Sequence, residues 1–170
     1  MSLVSSHRAL ELGQPSFTFL KTAVAPVRST HAQSHARIFL DEGAQRTLIT
    51  SSLAKQLHLY PTFREKLKLS GFQSSCSAST PQLYDVTSLA IMDLTGKQVT
   101  IEAIILDHIA NPLQNHHRVA VSHLQHIRNL RLAHPTTYDE PLFPIDMLVG
   151  ADYYWTLVTD KIIRGKDQLL

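Results

Sequence analysis

Short alternating runs dominate the chain. From Gln98 to Leu106, Val99, Ile101, Ala103 and Ile105 alternate with Thr100 and Glu102, the period-two signature of a strand with one buried face. Phe17 to Arg28 has the β-branched and aromatic content of a strand, with Pro26 near its end, and His35 to Leu40 forms a second. The turn Ser29 to Ser34 makes the two a hairpin that delivers Asp41 at its end. Lys66 to Leu69 and Tyr84 to Leu94 read as strands around a polar loop, Gly71 to Pro81. Asp93 to Lys97 is a hairpin turn, Ile145 to Val149 an apolar run, and Lys161 to Arg164 a final strand.

Helical spacing is confined to three places. Thr50, Ser51 and Ser52 offer N-caps for a short helix with Leu53, Ala54 and Leu57 on one face, ending before Pro61. Ser122-His123-Leu124-Gln125 is a capping-box pattern, with Val121, Leu124, Ile127 and Leu130 at helical spacing. Ala151 to Leu157 follows Gly150 as a third. Short strands, two or three short helices and one Asp-x-Gly turn fit a mostly β protein, a small closed β-barrel rather than βαβ layers. Residues 1–16 read as a loose tail and 17–170 as one domain, with a helix-containing insert at about 110–144.

Composition narrows the function classes. The 170 residues, 44% hydrophobic and 18% charged, suit one soluble domain with a real core. A net charge of +2, with Lys and Arg scattered, gives no nucleic-acid surface. Cys76 is the single cysteine, so no intrachain disulfide forms, which fits a reducing, cytoplasmic setting. Met1 to Gln14 has no apolar signal core, and no run reaches the roughly 20 apolar residues of a membrane span.

The candidate chemistry sits in Ile38 to Thr50, where an apolar run ends on Asp41 in a turn closed by Gly43. An acid at the end of a buried strand is costly unless it is paired or used. The plain alternative is a solvated turn acid, with Gly43 supplying a positive φ. Ten histidines raise a metal alternative through His116-His117 and His123-x-x-His126, but no third ligand has a recognisable spacing. No metal or organic cofactor is expected.

Asp41-Glu42-Gly43-Ala44 followed by Thr47-Leu48-Ile49 resembles the catalytic loop of retropepsin-type aspartic peptidases, and Pro144 to Gly150 resembles their apolar-glycine strand. With Leu130-Arg131-Leu132-Ala133 and the run Ile145 to Trp155 through Ile163-Arg164-Gly165, the chain is similar to the retropepsin-like aspartic peptidase domain of Bel/Pao-type LTR retrotransposon polyproteins, over roughly residues 17 to 165. The resemblance implies a homodimer in which Asp41 of each chain activates a water to cut a polyprotein. It implies a loop supported by Glu42, Gly43, Ala44 and Gly150. By chain order it also implies a substrate-covering flap within Leu69 to Leu83, carrying Gly71, Phe72, Gln73 and Ser74. In such polyproteins a reverse transcriptase region follows, so Leu170 need not be a natural end.

Glu42 departs from the pattern, because active relatives carry a Ser or Thr there whose hydroxyl bonds across the dimer axis. Three readings stay open: Glu42 bends outward to a base such as Arg46, replaces the hydroxyl in protonated form, or marks weakened or lost catalysis. The last gives the alternative function, a peptide-binding or dimerisation module. The partners expected are a second copy and a peptide or polyprotein, with no direct nucleic acid and no membrane.

Overall fold

The computed structural model describes residues 20–69, 80–93, 96–114, 133 and 142–159. Strands β1 (Thr22–Arg28) and β2 (Gln33–Leu40) form the expected antiparallel hairpin, with Thr22 opposite Phe39 and Arg28 opposite Gln33. Ser29 fixes the turn: its Oγ accepts from the amides of His31 (3.0 Å) and Ala32 (3.1 Å) and donates to the Leu57 carbonyl (2.6 Å).

The remaining strands are β3 (Leu48–Thr50), β4 (Phe63–Leu67), β5 (Gln82–Met92), β6 (Gln98–Leu106), β7 (Leu113–Gln114), β8 (Leu142–Phe143) and β9 (Met147–Val149). Their order is β1-β2-β9-β3-β6-β5-β4, and β5 returns to β1 through Val27 opposite Ile91 and Arg28 opposite Ala90. Six strands therefore close into a barrel, and β4 hangs from β5 outside the closure. The barrel is mixed: β2–β9 and β3–β6 run parallel, and the other pairs are antiparallel. Closure leaves the six strands without a long open edge.

Alternation explains the core. Along β2, Ala36, Ile38 and Leu40 point inward between more exposed neighbours, and they meet Val27, Ile49, Ile101, Ala103, Met147 and Val149. Removing the side chain of a fully buried residue such as Ile38 would cost about 2–5 kcal/mol. Arg37 aligns the parallel β2–β9 pair. Its backbone N–H and Nε donate to Asp146 Oδ2 (2.9 and 2.8 Å), and Nη2 donates to Oδ1 (2.8 Å).

Helix α1 (Ser51–Gln56) starts at Thr50, whose Oγ1 accepts from Leu53 N–H, and it buries Leu53 and Ala54. It stops at His58, which takes a positive φ of 50°. Helix α2 (Ala151–Leu157) follows β9 directly and buries Tyr154. The Asp93 turn closes as expected: Asp93 Oδ1 accepts from Lys97 N–H (2.8 Å), and Gly96 supplies a φ of +84°.

Two expectations about the strands need correction, and others fall outside the description. The strand expected at Lys66 to Leu69 is β4, Phe63–Leu67, begun where Thr62 N–H bonds Val86 O (2.7 Å). Strand β4 pairs on one side only, so both its faces stay largely exposed and its sequence lacks apolar alternation. In β6 the bounds hold, but Ile104, not Ile105, is fully buried. Ile104 lies opposite Leu48 of β3 on one side and Val86 of β5 on the other, so the period-two rule fails there. The 1–16 tail, the helix around Ser122 and the strand Lys161 to Arg164 lie outside the described residues. Strands β7 and β8 pair antiparallel near the two ends of the expected insert. Among the described residues, no helix is long and apolar enough to cross a membrane.

Candidate active site

Strand β2 carries the chain to Asp41, and β9 stops it there: Asp41 N–H donates to Val149 O (3.0 Å). The turn then closes on itself. Gly43 N–H donates to Asp41 Oδ1 (2.9 Å) and Ala44 N–H donates to Asp41 O (3.2 Å). The carboxylate is thus oriented by an amide of its own turn, which fixes its direction.

Gly43 does not supply a positive φ; Gly96 is the glycine among the described residues that does. A Cβ at Gly43 would meet Asp41 Oδ1 at 3.2 Å, so this position is small to leave room for the carboxylate. Gly150 has a sharper reason. A Cβ there would lie 2.8 Å from Ala44 O and from the carbonyl carbon and oxygen of Arg46, all backbone atoms. The Asp41 turn wraps directly over Gly150, and Ala151 N–H donates to Ala44 O (2.7 Å) to hold it.

A side-chain brace completes the support. Asp152, in the first turn of α2, accepts from Thr47 N–H at Oδ2 (2.9 Å) and from Thr47 Oγ1 at Oδ1 (2.7 Å). The same hydroxyl accepts from Gly150 N–H (3.1 Å). Thr47 is buried, so its bond with Gly150 lies away from water while its two bonds to Asp152 reach toward the surface. Asp152 stands in the first turn of α2, where a helix N-terminus favours an acid, but its tie to Thr47, 105 positions away, leaves no mark in the local sequence pattern.

Glu42 points outward, but not to Arg46. Its carboxylate accepts from Lys21 Nζ (2.9 Å), which also donates to the hydroxyl of Tyr154 (3.0 Å) and lies 5.2 Å from that ring's centre. The Tyr154 bond first, and then the Glu42 bond, raise the Lys21 pKa above its ordinary 10.5. Arg46 instead pairs with Glu65 of β4 and lies 3.9 Å from Asp152, while its buried Nε has no hydrogen-bond partner among the described residues.

The Arg46–Glu65 pair ties the end of the Asp41 turn to the β4–β5 hairpin. Phe63, Glu65 and Leu67 lie opposite Val86, Tyr84 and Gln82, so these residues share one hairpin face, the one that carries the tie. The register ends at Leu67 opposite Gln82, which makes residues 68–81 the connection. Gly71, Phe72, Gln73 and Ser74 fall in that connection, outside the described residues. His116, His117, His123 and His126 also lie outside them; among the described residues no three His, Cys, Asp or Glu side chains cluster to hold a metal.

The structure therefore brings Asp41, Glu42, Gly43, Ala44 and Gly150 together and adds Lys21, Arg46, Thr47, Asp152 and Tyr154 around them. A carboxylate so held can take a proton from water or share one with a neighbouring acid. Residues 23–166 match the family described as "Putative peptidase (DUF1758)". No curated protein matches the chain by sequence. Four chains among solved structures match it. One is the EIAV protease complexed with the inhibitor HBY-793, at 14% identity and a TM-score of 0.39, covering 58% of this chain and 84% of that one.

Proposed function

The chain belongs to the family described as "Putative peptidase (DUF1758)", and on that premise we propose that it is a retropepsin-like aspartic endopeptidase acting as a homodimer. The observation that carries this reading is the Asp41 carboxylate, held by Gly43 N–H on a turn braced by Gly150 at the end of a barrel strand. Aspartic catalysis needs two carboxylates close enough to share one proton. The sequence has one Asp-x-Gly turn, so the second acid is Asp41 of another copy. The ionised Asp41 takes a proton from the attacking water. The protonated one polarises the scissile carbonyl and then protonates the leaving nitrogen. The Bel/Pao resemblance supports a retrotransposon polyprotein as the substrate, with a flap within residues 69–83.

Cleavage of an unbiased peptide library by the purified chain, beside Asp41→Asn, tests this. Cleavage that disappears in the variant and rises more than linearly with enzyme at low concentration is expected. A second reading is favoured by Glu42, an exposed acid where the resembled family carries a hydroxyl: the fold serves as a peptide-binding or dimerisation module. A folded dimer that binds peptides without cutting them would establish that reading instead.

A further inference from the structure

Lys21 is anchored independently of Glu42. Its carbonyl accepts from Leu40 N–H (2.8 Å), which pins its backbone beside the residue that leads into Asp41. Its ammonium is seated on Tyr154, a fully buried residue of α2, through the hydroxyl at 3.0 Å. Helix α2 begins at Gly150 and Asp152, the two residues that brace the Asp41 turn. Glu42 therefore meets a cation already fixed to both ends of the site's scaffold, at 2.9 Å.

We propose that Lys21 is a positioning residue for the Asp41 turn: its ammonium, held on Tyr154, neutralises Glu42 within the same protomer so that two copies of the turn can approach one another. The inference rests on the dimeric reading above. When two turns face each other, two Asp41 and two Glu42 carboxylates gather at one axis. Uncompensated, four such acids repel. With Lys21 in place each Glu42 carries its own counter-ion, and the Asp41 pair alone has to share a proton. The ionisable groups that the described residues bring to Glu42 are Lys21 from the segment before β1, Tyr154 behind that lysine on α2, and Asp41 in the turn itself.

The test compares wild type, Lys21→Met and Lys21→Met/Glu42→Gln by sedimentation at neutral pH and by peptide cleavage. Lys21→Met is expected to weaken dimerisation about tenfold, and to lower kcat more than it raises KM. Glu42→Gln in that background restores both, because it removes the charge that lost its partner. A merely structural lysine would not be rescued by neutralising a residue on the surface. Tyr154→Phe, which deletes only the hydroxyl, gives the same direction at about threefold and serves if Lys21→Met does not fold. A dimer indifferent to Lys21→Met, or a double variant as weak as the single one, overturns the role of Lys21 alone. A wild-type chain that is monomeric and inactive overturns the dimeric reading, and this role with it.

Discussion

The α-carbon of Gly150 lies so close beneath Ala44 that a Cβ there would stand 2.8 Å from the Ala44 carbonyl oxygen, and equally close to the backbone carbonyl of Arg46. No flexible side chain can move aside to relieve such a contact. Gly150→Ala is therefore expected to cost about 1–3 kcal/mol through forced backbone shifts. Urea unfolding measures it, and a variant as stable as wild type would show that the turn is not packed on this glycine.

Gly43→Ala should behave differently. The single close neighbour of the new methyl group would be the Asp41 Oδ1 itself, at 3.2 Å, and the backbone there is not left-handed. Stability should change by less than about 1 kcal/mol, while cleavage falls because the proposed catalytic carboxylate is displaced. Equal losses in stability and in cleavage would contradict this division.

Asp152 receives two bonds from the buried Thr47 and accepts them as a charged group. Asp152→Ala is expected to destabilise the fold by about 2 kcal/mol, since such bonds contribute roughly 1.5–3 kcal/mol. Asp152→Asn, which keeps one acceptor oxygen, should lose less. Thermal unfolding of the three proteins side by side would check the order, and an Asn variant weaker than the Ala variant would reverse it.

Lys21 gives a pH signature. Its folded pKa is raised above 10.5 by the Tyr154 hydroxyl and then by Glu42, so its contribution to stability is fully present below 10.5 and lost as pH climbs through the higher folded value. The stability difference between wild type and Lys21→Met should stay level from neutral to mildly alkaline pH and shrink only in strongly alkaline buffer. A difference that disappears between neutral and mildly alkaline pH would rule out the lysine as its source.

What the sequence revealed was local. The bounds of β6, the Thr50 cap and the Asp41 turn follow from patterns within a dozen residues, and the β1–β2 hairpin from the two apolar runs that flank its turn. The pairing of Thr47 with Asp152 spans 105 positions, and that of Lys21 with Glu42 spans 21. No periodicity encodes which acid a distant base will meet, so proximity in sequence offers Arg46 as one candidate base for Glu42 and nothing in the pattern offers Lys21. The barrel instead sets Arg46 against β4 and brings Lys21 past the end of β2. Ile104 was missed for a related reason: alternation identifies a buried face only while the other face is open to water.

Arg37 meets Asp146 across 109 positions, and Asp41 is bonded by Val149 just beyond that. On a ribosome, Asp41 emerges long before the segment that holds it, and no local contact substitutes for β9 in the meantime. Contacts of such separation form late and slowly. Whatever chemistry Asp41 performs is therefore timed by synthesis: a growing chain carries the acid without its brace, and the site becomes competent only when β9 slides in between β2 and β3.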